Sequence, residues 1–249
     1  MRNIFTIAAL ELERLFKSPL AWVILATVMF LLSILFLILL NQFMSPGPWF
    51  AGRGVTEIVV AGLLQISGIV ILLVTPFITM RIFSEERRTG TIKLLLSSPV
   101  TITELVLGKY LGTLGFLVVL LALIALMPLS LLMGTPVDLL QISAGLLGLF
   151  LLMASFAAIG LFISTLTSQT SIAAITTFGV LFMLWIINLA SNTGGEMFRS
   201  VFSYLSLLKH YDSLISGMLN SVDVFYYLII CITFIVLSIW RLDGERLHQ

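Results

Sequence analysis

The chain has 249 residues, of which 59% are hydrophobic and only 10% are charged. Soluble domains carry roughly 45–50% apolar and about 25% charged residues, so this composition excludes an ordinary soluble protein and favours helices embedded in lipid. The formal net charge of +1 gives no electrostatic basis for binding nucleic acid, and a single cysteine excludes an intrachain disulfide or a cysteine-based metal site. We therefore predict an all-α, polytopic membrane protein with one domain, residues 1–249.

The chain opens on an amphipathic segment, which we predict to be an interfacial elbow helix over residues 1–18. At helical spacing, polar side chains lie opposite an apolar face. Such a helix would buttress the first span or contact a cytoplasmic partner, and a plain membrane anchor fits the same pattern. The apolar face is formed by Phe5, Ala8, Ala9, Leu12, Leu15 and Phe16.

Six apolar stretches are long enough to cross a bilayer. An even number of spans places both termini on the same side. Basic residues mark that side as the cytoplasmic side of a plasma (bacterial inner) membrane, because ten of them fall on it and only Arg53, Arg199 and Lys209 fall opposite. The spans are roughly 20–40, 58–80, 105–132, 139–165, 171–190 and 224–240.

The cytoplasmic loop 81–104 is charged at its start and apolar at its end. Gly90 and Pro99 punctuate it and leave room for a short helix of about two turns between them. Thr101 and Glu104 fit a capping box, which would start the third span at a defined residue. We predict a stiff lever held between two spans, and an amphipathic surface loop is the alternative.

The segment 192–222 on the outer side is neither a span nor an ordinary loop. Its apolar residues recur every three or four positions, which predicts two short helices that dip into the outer interface. Gly217 and Asn220 would end the second helix. The pair would border an exit path, or would form a plain interfacial lid.

Two segments resemble those of a known family in order and spacing. The resemblance is to the type-2 permease family of ATP-binding-cassette exporters, and within it to the subgroup of the gliding-motility and nitrous-oxide-reductase maturation permeases. The first segment reads Phe83-Ser84-Glu85-Glu86-Arg87-Arg88-Thr89-Gly90-Thr91, Leu94-Leu95, Ser97-Ser98-Pro99-Val100 and Gly108-Lys109. The second reads Tyr204-Leu205-Ser206, His210-Tyr211, Leu214, Gly217 and Asp223-Val224-Phe225-Tyr226-Tyr227-Leu228.

This resemblance implies a permease that pairs with a second permease subunit, in a homodimer or a heterodimer, and docks a cytoplasmic ATPase dimer. It makes residues 84–98 the coupling helix. Lys93 stands where family members often have an acidic residue. The implied polar contacts to the ATPase are Glu85, Glu86, Arg87 and Arg88, the buried contacts are Leu94, Leu95 and Leu96, and the coupling segment also includes Thr89, Gly90, Thr91 and Pro99.

The chain lacks the residues that catalysis or nucleotide binding would need. Its one Gly-Lys pair, Gly108-Lys109, is followed by Tyr110 and has Thr103 at the place of the first glycine, so no phosphate-binding loop is present. We place Lys109 at the cytoplasmic end of the third span and no Asp, Glu, His or Lys in the interior of a span, which argues against a gradient-driven transporter. We expect a non-enzymatic subunit that binds no cofactor or metal, while its partner ATPase binds ATP and Mg. Alternatives are a subunit that transmits force to an extracytoplasmic accessory protein, and a scaffold without transport.

Overall fold

The structure is a computed structural model that describes residues 2–44, 54–92, 100–191 and 206–247. Within these ranges all regular secondary structure is helical, which confirms the predicted all-α class. A π-helical turn, Thr56–Val60, precedes the third helix, and a 3-10 turn, Leu131–Met133, follows the fifth. The helices are α1 (Arg2–Lys17), α2 (Pro19–Met44), α3 (Ala61–Thr79), α4 (Ser84–Thr89), α5 (Ile102–Ser130), α6 (Leu139–Leu166), α7 (Thr170–Ser191), α8 (Leu207–Ile215) and α9 (Ser221–Leu247).

Five helical stretches are long and apolar enough to cross a membrane, and they coincide with five of the six predicted spans. The remaining predicted span, 171–190, falls on α7, which counts as a shorter apolar helix over Thr170–Ile186. The sixth crossing therefore stays a prediction. The five stretches are Pro19–Met44, Thr56–Thr89, Ile102–Met133, Leu139–Leu166 and Ser221–Arg246.

Helix α6 forms the centre of the bundle. In a continuous apolar stretch of 18 residues, 78% of the residues of α6 are buried, against 17% for α2 and 22% for α9. Small residues on α6 let its neighbours approach closely, as is usual in membrane helices. A Cβ atom on Gly145 would lie 2.5 Å from Leu64 of α3, and one on Gly148 would lie 2.8 Å from Leu214 of α8. Helices α3, α5, α7, α8 and α9 pack around α6, and α2 and α9 present most of their surface outward.

The bundle has two ends with different contents. We call the end that holds α1, α4, the start of α5 and the end of α9 the termini end, because both ends of the described chain lie there. At the opposite end, the Asp138 carboxylate caps α6 by accepting hydrogen bonds from the amides of Leu140 and Gln141. The Gln141 side chain then donates to the Ile215 carbonyl of α8 at 3.1 Å. The two ends are thus connected by helices that run the full length of the bundle.

Candidate functional site

Helix α1 lies directly on α5 at the termini end. A Cβ atom on Gly108 would lie 2.7 Å from Ile7, and one on Gly112 would lie 2.7 Å from Glu11 and 2.8 Å from the Ala8 carbonyl oxygen. Two glycines four residues apart lie on one side of a helix and allow two backbones to approach closely. The N-terminal helix is therefore packed against the third predicted span along its length.

The predicted apolar face of α1 divides between two environments. Leu12 and Leu15 pack against the core, whereas Phe5 is 69% exposed. The face that meets α5 also carries Glu11, which is only 8% exposed. The apolar pattern could not reveal this residue, because it treats a carboxylate as a surface group. An interfacial position for α1 stays a prediction.

Helix α4 is short because the chain ends it on both sides. The hydroxyl of Ser84 donates to the carbonyl of Met80, so the start of α4 is bonded back to the end of α3. Gly90 closes the helix in the left-handed region, with φ of 74°, a conformation that favours glycine. The six residues between these points form a compact helix at the end of α3.

Helix α4 precedes Gly90 and was not predicted from spacing, whereas the short helix predicted between Gly90 and Pro99 stays a prediction. The segment 93–99 lies outside the described residues, and with it the predicted contacts Leu94, Leu95, Leu96 and Pro99. The structure therefore describes only the first half of the predicted coupling segment, residues 84–92, which is mostly polar.

Two consecutive acidic residues of α4 pair with two different helices. The Glu85 carboxylate accepts a hydrogen bond from Arg14 of α1 at 2.9 Å. The Glu86 carboxylate lies 2.5 Å from the ammonium of Lys109 on α5. Glu11, Arg14, Glu85, Glu86 and Lys109 form what we call the charged cluster. It connects α1, α4 and α5 through side chains far apart in sequence.

Lys109 occupies the centre of the charged cluster and is only 3% exposed. Besides Glu86, its ammonium donates to the Glu11 carboxylate at 3.3 Å and to the Ile82 carbonyl at 2.9 Å, and it lies 5.1 Å from the centre of the Phe83 ring. A buried charge is tolerated only when it is paired and hydrogen-bonded. The environment of Lys109 meets both conditions, so α1, α4 and α5 are held together by a desolvated ion cluster.

The next residue of α4 connects it to a fourth helix. The Arg87 guanidinium donates through one nitrogen to both carboxylate oxygens of Glu245 on α9, at 2.7 and 2.8 Å. Both side chains are partly buried, at 16% and 24% exposure. Three successive residues of α4 thus pair with α1, α5 and α9, respectively.

The remaining described residues of the predicted coupling set face outward. Arg88, Thr89, Gly90 and Thr91 are exposed. The Thr89 hydroxyl lies 2.9 Å from that of Thr91 and donates to the Glu85 carbonyl at 3.0 Å, which shapes the turn after α4. We call Arg88–Thr91 the exposed tip. Sequence reasoning grouped these residues with Glu85, Glu86 and Arg87, and the structure separates an inward-bonded half from an exposed half.

The predicted capping box at the start of the third span is confirmed. The Thr101 hydroxyl accepts from the Glu104 amide at 3.2 Å, and the Glu104 carboxylate accepts from the Thr101 amide at 3.3 Å. Because α5 begins at a fixed residue, Lys109 is held at a defined distance, two helical turns into α5. The cap therefore positions the central group of the charged cluster.

At the opposite end of the bundle, α8 is held by buried polar groups. His210 Nδ1 lies 2.6 Å from the Asp223 carboxylate of α9, and the Tyr227 hydroxyl donates to the Leu207 carbonyl at 2.6 Å. The Tyr211 hydroxyl donates to the Leu64 carbonyl of α3 at 2.6 Å. Burial raises the pKa of Tyr211 well above its usual range, so this phenol stays protonated and remains a donor.

Helix α8 corresponds to the second of the two outer helices predicted within 192–222. It ends at Ile215 and is followed by Gly217 with φ of 83°, as the glycine signal predicted. The first predicted helix lies outside the described residues. The dip of these helices into the outer interface stays a prediction.

Comparison with known protein families gives a match to the ABC-2 family transporter proteins over residues 5–247. No curated protein matches the chain. The family match covers α1, α4, all the apolar helices and α8, so every element of the arrangement described above lies within it. The narrower resemblance to the gliding-motility and nitrous-oxide-reductase maturation permeases stays a prediction. The chain belongs to the ABC-2 transporter family and is a multi-pass membrane permease subunit of an ATP-binding-cassette transporter, not itself the catalytic subunit.

Proposed function

We propose that this subunit exports a substrate across the bacterial inner membrane. Its membrane domain has six spans, and both termini lie in the cytoplasm. A separate cytoplasmic ATPase dimer binds ATP and Mg and supplies the energy. The observation that carries the proposal is the dual character of α4, whose inner residues are bonded to three other helices while its tip is exposed. A lever that receives force at one end and passes it to several helices needs this arrangement.

The distribution of basic residues supports a cytoplasmic position for the termini end. Arg14, Lys17, Arg81, Arg88 and Arg246 all belong to elements at this end. Cytoplasmic ends of membrane proteins are enriched in Lys and Arg. The exposed tip would then face the compartment where ATP is available.

The strengths of the ion pairs in the charged cluster determine which helices move with α4 when the ATPase presses on it. Removing one partner of a buried ion pair costs about 3–5 kcal/mol. Exposed pairs contribute about 0.2–1 kcal/mol. The buried Lys109–Glu86 pair therefore couples α4 firmly to α5, and the more exposed Arg14–Glu85 pair couples it loosely to α1. Displacement of the tip would move the third span first.

A stripe on α3 supports a second permease subunit as a partner. Gln65, Ile69, Leu73 and Phe77 recur every four residues and are all exposed. Gln65 lies within an apolar helix and has no hydrogen-bond partner among the described residues. Gln65 lines a cleft with Glu57 and Asp212, and side-chain amides are commonly bonded across helix interfaces in membranes. We infer that this stripe meets the second subunit of a homodimer or heterodimer.

An apolar cleft next to this stripe supports a hydrophobic cargo. It has a volume of about 340 Å³ and lies between α3 and α7. Its lining side chains are all apolar, so it would accept hydrocarbon and reject a strongly polar solute. They are Leu73, Pro76, Phe77, Ala174, Ile175 and Phe178.

Charge reversal at the exposed tip tests the docking step. The permease is co-expressed with an ATP-binding-cassette ATPase and purified through a tag on the permease. Arg88→Glu should lower the amount of ATPase recovered at least threefold, whereas Arg246→Glu, an equal charge change on an exposed residue of α9, should not. Equal recovery with Arg88→Glu would remove the tip from the ATPase contact.

A second candidate function is transmission of force to an extracytoplasmic accessory protein without transport. The firm attachment of α8 to α3 and α9 favours it, because such a helix could act as a platform on the outer side. Ile175→Trp, which fills the cleft between α3 and α7, separates the two functions. An exporter loses its cellular activity with the cleft filled, and a force transmitter keeps it.

A further inference from the structure

We propose that α9 links α4 at the termini end to α8 at the opposite end, and that Glu245 is the positioning residue that holds α9 on α4. The inference rests on the proposed function and deepens it, since it identifies how a movement of the coupling helix would reach the outer side. The inference is based on two contacts of α9, the pair of Arg87 with Glu245 at one end and the pair of His210 with Asp223 at the other.

Helix α9 has the length and continuity that such a link requires. Its 27 residues span roughly 40 Å at 1.5 Å per residue, which exceeds the thickness of the hydrocarbon layer. It contains no proline, the commonest cause of a sharp kink. A displacement applied to one end of such a helix is carried to the other end as a tilt or a translation.

The attachment at the termini end is specific. Arg87 and Glu245 are separated by 158 residues, and both oxygens of the carboxylate accept from the same guanidinium nitrogen. Partial burial of both side chains strengthens the pair relative to an exposed one. Asp243 lies two residues earlier on the same helix, is exposed, and has no ion-pair partner among the described residues. We therefore assign the attachment of α9 to α4 to the Glu245 carboxylate, and not to the general negative charge at the end of α9.

The attachment at the opposite end uses the first two turns of α9. Asp223 lies 2.6 Å from His210, whose ring stacks on Tyr226 with centroids 4.3 Å apart. Tyr227 donates its hydroxyl to the Leu207 carbonyl. Three residues of α9 thus contact α8 within one helical turn of one another, so α8 must follow the end of α9.

Between its two attachments α9 lies on the central helix α6. Ser155 of α6 donates to the Tyr227 carbonyl at 3.4 Å and lies 3.5 Å from the sulfur of Cys231. Because α6 is the most buried span, it provides a fixed surface on which α9 can tilt. Movement at Glu245 is therefore converted into movement at Asp223.

Hydrogen exchange of the purified chain in lipid nanodiscs tests the link without an ATPase. Glu245→Gln should speed amide exchange in both α4 and α8, by about threefold, the factor expected for loss of a partly exposed ion pair. Asp243→Asn should change neither helix. Arg87→Gln combined with Glu245→Gln should behave like Glu245→Gln alone, since that variant has already lost the pair with Arg87, and the other partner of Glu245, Arg241, lies on α9 itself. Faster exchange confined to α4, or in neither helix, overturns the proposal.

Cysteine labelling in the complex with the ATPase tests transmission. Lys209, exposed on α8, is replaced by cysteine in a chain whose Cys231 is alanine, and its rate of maleimide labelling is compared with and without ATP. We expect a nucleotide-dependent rate that Glu245→Gln abolishes and Asp243→Asn preserves, with ATPase recovery unchanged in both. A nucleotide effect that survives Glu245→Gln, or none in the parent complex, contradicts the link. Failure of any ATPase to co-purify would instead refute the proposed function, and the exchange experiment would still decide the link.

Discussion

The Lys109 ammonium and the Glu86 carboxylate lie 2.5 Å apart, on two helices that meet at the termini end of the bundle. Lys109 is almost fully buried, and Glu11 approaches it from a third helix at 3.3 Å. One cation therefore serves two carboxylates from separate elements. Separating either acid from the cation would leave a desolvated charge. The ion cluster therefore fixes the relative positions of the three helices.

Replacement of Lys109 should be strongly destabilising. Lys109→Met leaves Glu11 and Glu86 with only the more exposed Arg14 guanidinium, 3.9 and 3.6 Å away, and we expect a loss of about 3–5 kcal/mol in the free energy of unfolding. Thermal melting of the purified protein in detergent measures it. Lys17→Met is the control, because Lys17 pairs with Glu13 on the exposed surface of α1. Equal melting temperatures for the two variants would show that the cluster does not stabilise the fold.

Neutralising the two acidic neighbours on α4 should give unequal results. Glu85→Gln removes a pair whose side chains are 43% and 30% exposed, and we expect less than about 1 kcal/mol. Glu86→Gln disturbs the buried pair with Lys109 and should cost more than twice as much. Melting temperatures at low and high salt check this, since screening weakens only the exposed pair. Similar losses for both variants would contradict the assignment of one pair as buried.

Adding a methyl group between α1 and α5 should push these helices apart. In Gly112→Ala the new Cβ would lie 2.8 Å from the Ala8 carbonyl oxygen, a backbone atom that cannot rotate away. We expect a lower melting temperature by several degrees. Gly179→Ala is the matched control, because it adds the same group in α7 where nothing lies within 4 Å. It should be neutral or slightly stabilising, and a loss of the same size there would remove the packing explanation.

Loss of one phenolic hydroxyl should loosen α8. Tyr211→Phe leaves the Leu64 carbonyl without its buried donor, which costs about 1–3 kcal/mol. Hydrogen exchange in α8 should accelerate. Ser213→Ala on the same helix serves as the control, since its hydroxyl has no hydrogen-bond partner in the described part of the chain. Unaltered exchange of α8 in Tyr211→Phe would show that other contacts suffice to hold it.

Local signals in the sequence predicted local structure well. The Thr101 and Glu104 pair identified the start of α5, and Gly217 identified the end of α8, because both features depend on atoms within a few residues of one another. The five helices long and apolar enough to cross a membrane followed from length and hydropathy alone. These predictions needed no knowledge of which helices are neighbours.

The pairing of charges could not be predicted in this way. Every Lys and Arg was assigned by the sequence to an aqueous face, which is correct for Arg88 and wrong for the buried Lys109. Its burial depends on α1 lying across α5, and the only sequence signal for that contact is the spacing of Gly108 and Gly112. The short helix before Gly90 has no apolar periodicity, because its residues are polar, so the hydrophobic pattern does not predict it.

The ion pairs around α4 also impose an order on biosynthesis. Glu11 leaves the ribosome 98 residues before Lys109, and Arg87 leaves it 158 residues before Glu245. A growing chain therefore carries unmatched charges near the membrane surface until the later helices are inserted. Helix α4 acquires its final surroundings only after α9 has been translated, so an ATPase that distinguishes the completed arrangement would select finished permeases over nascent ones.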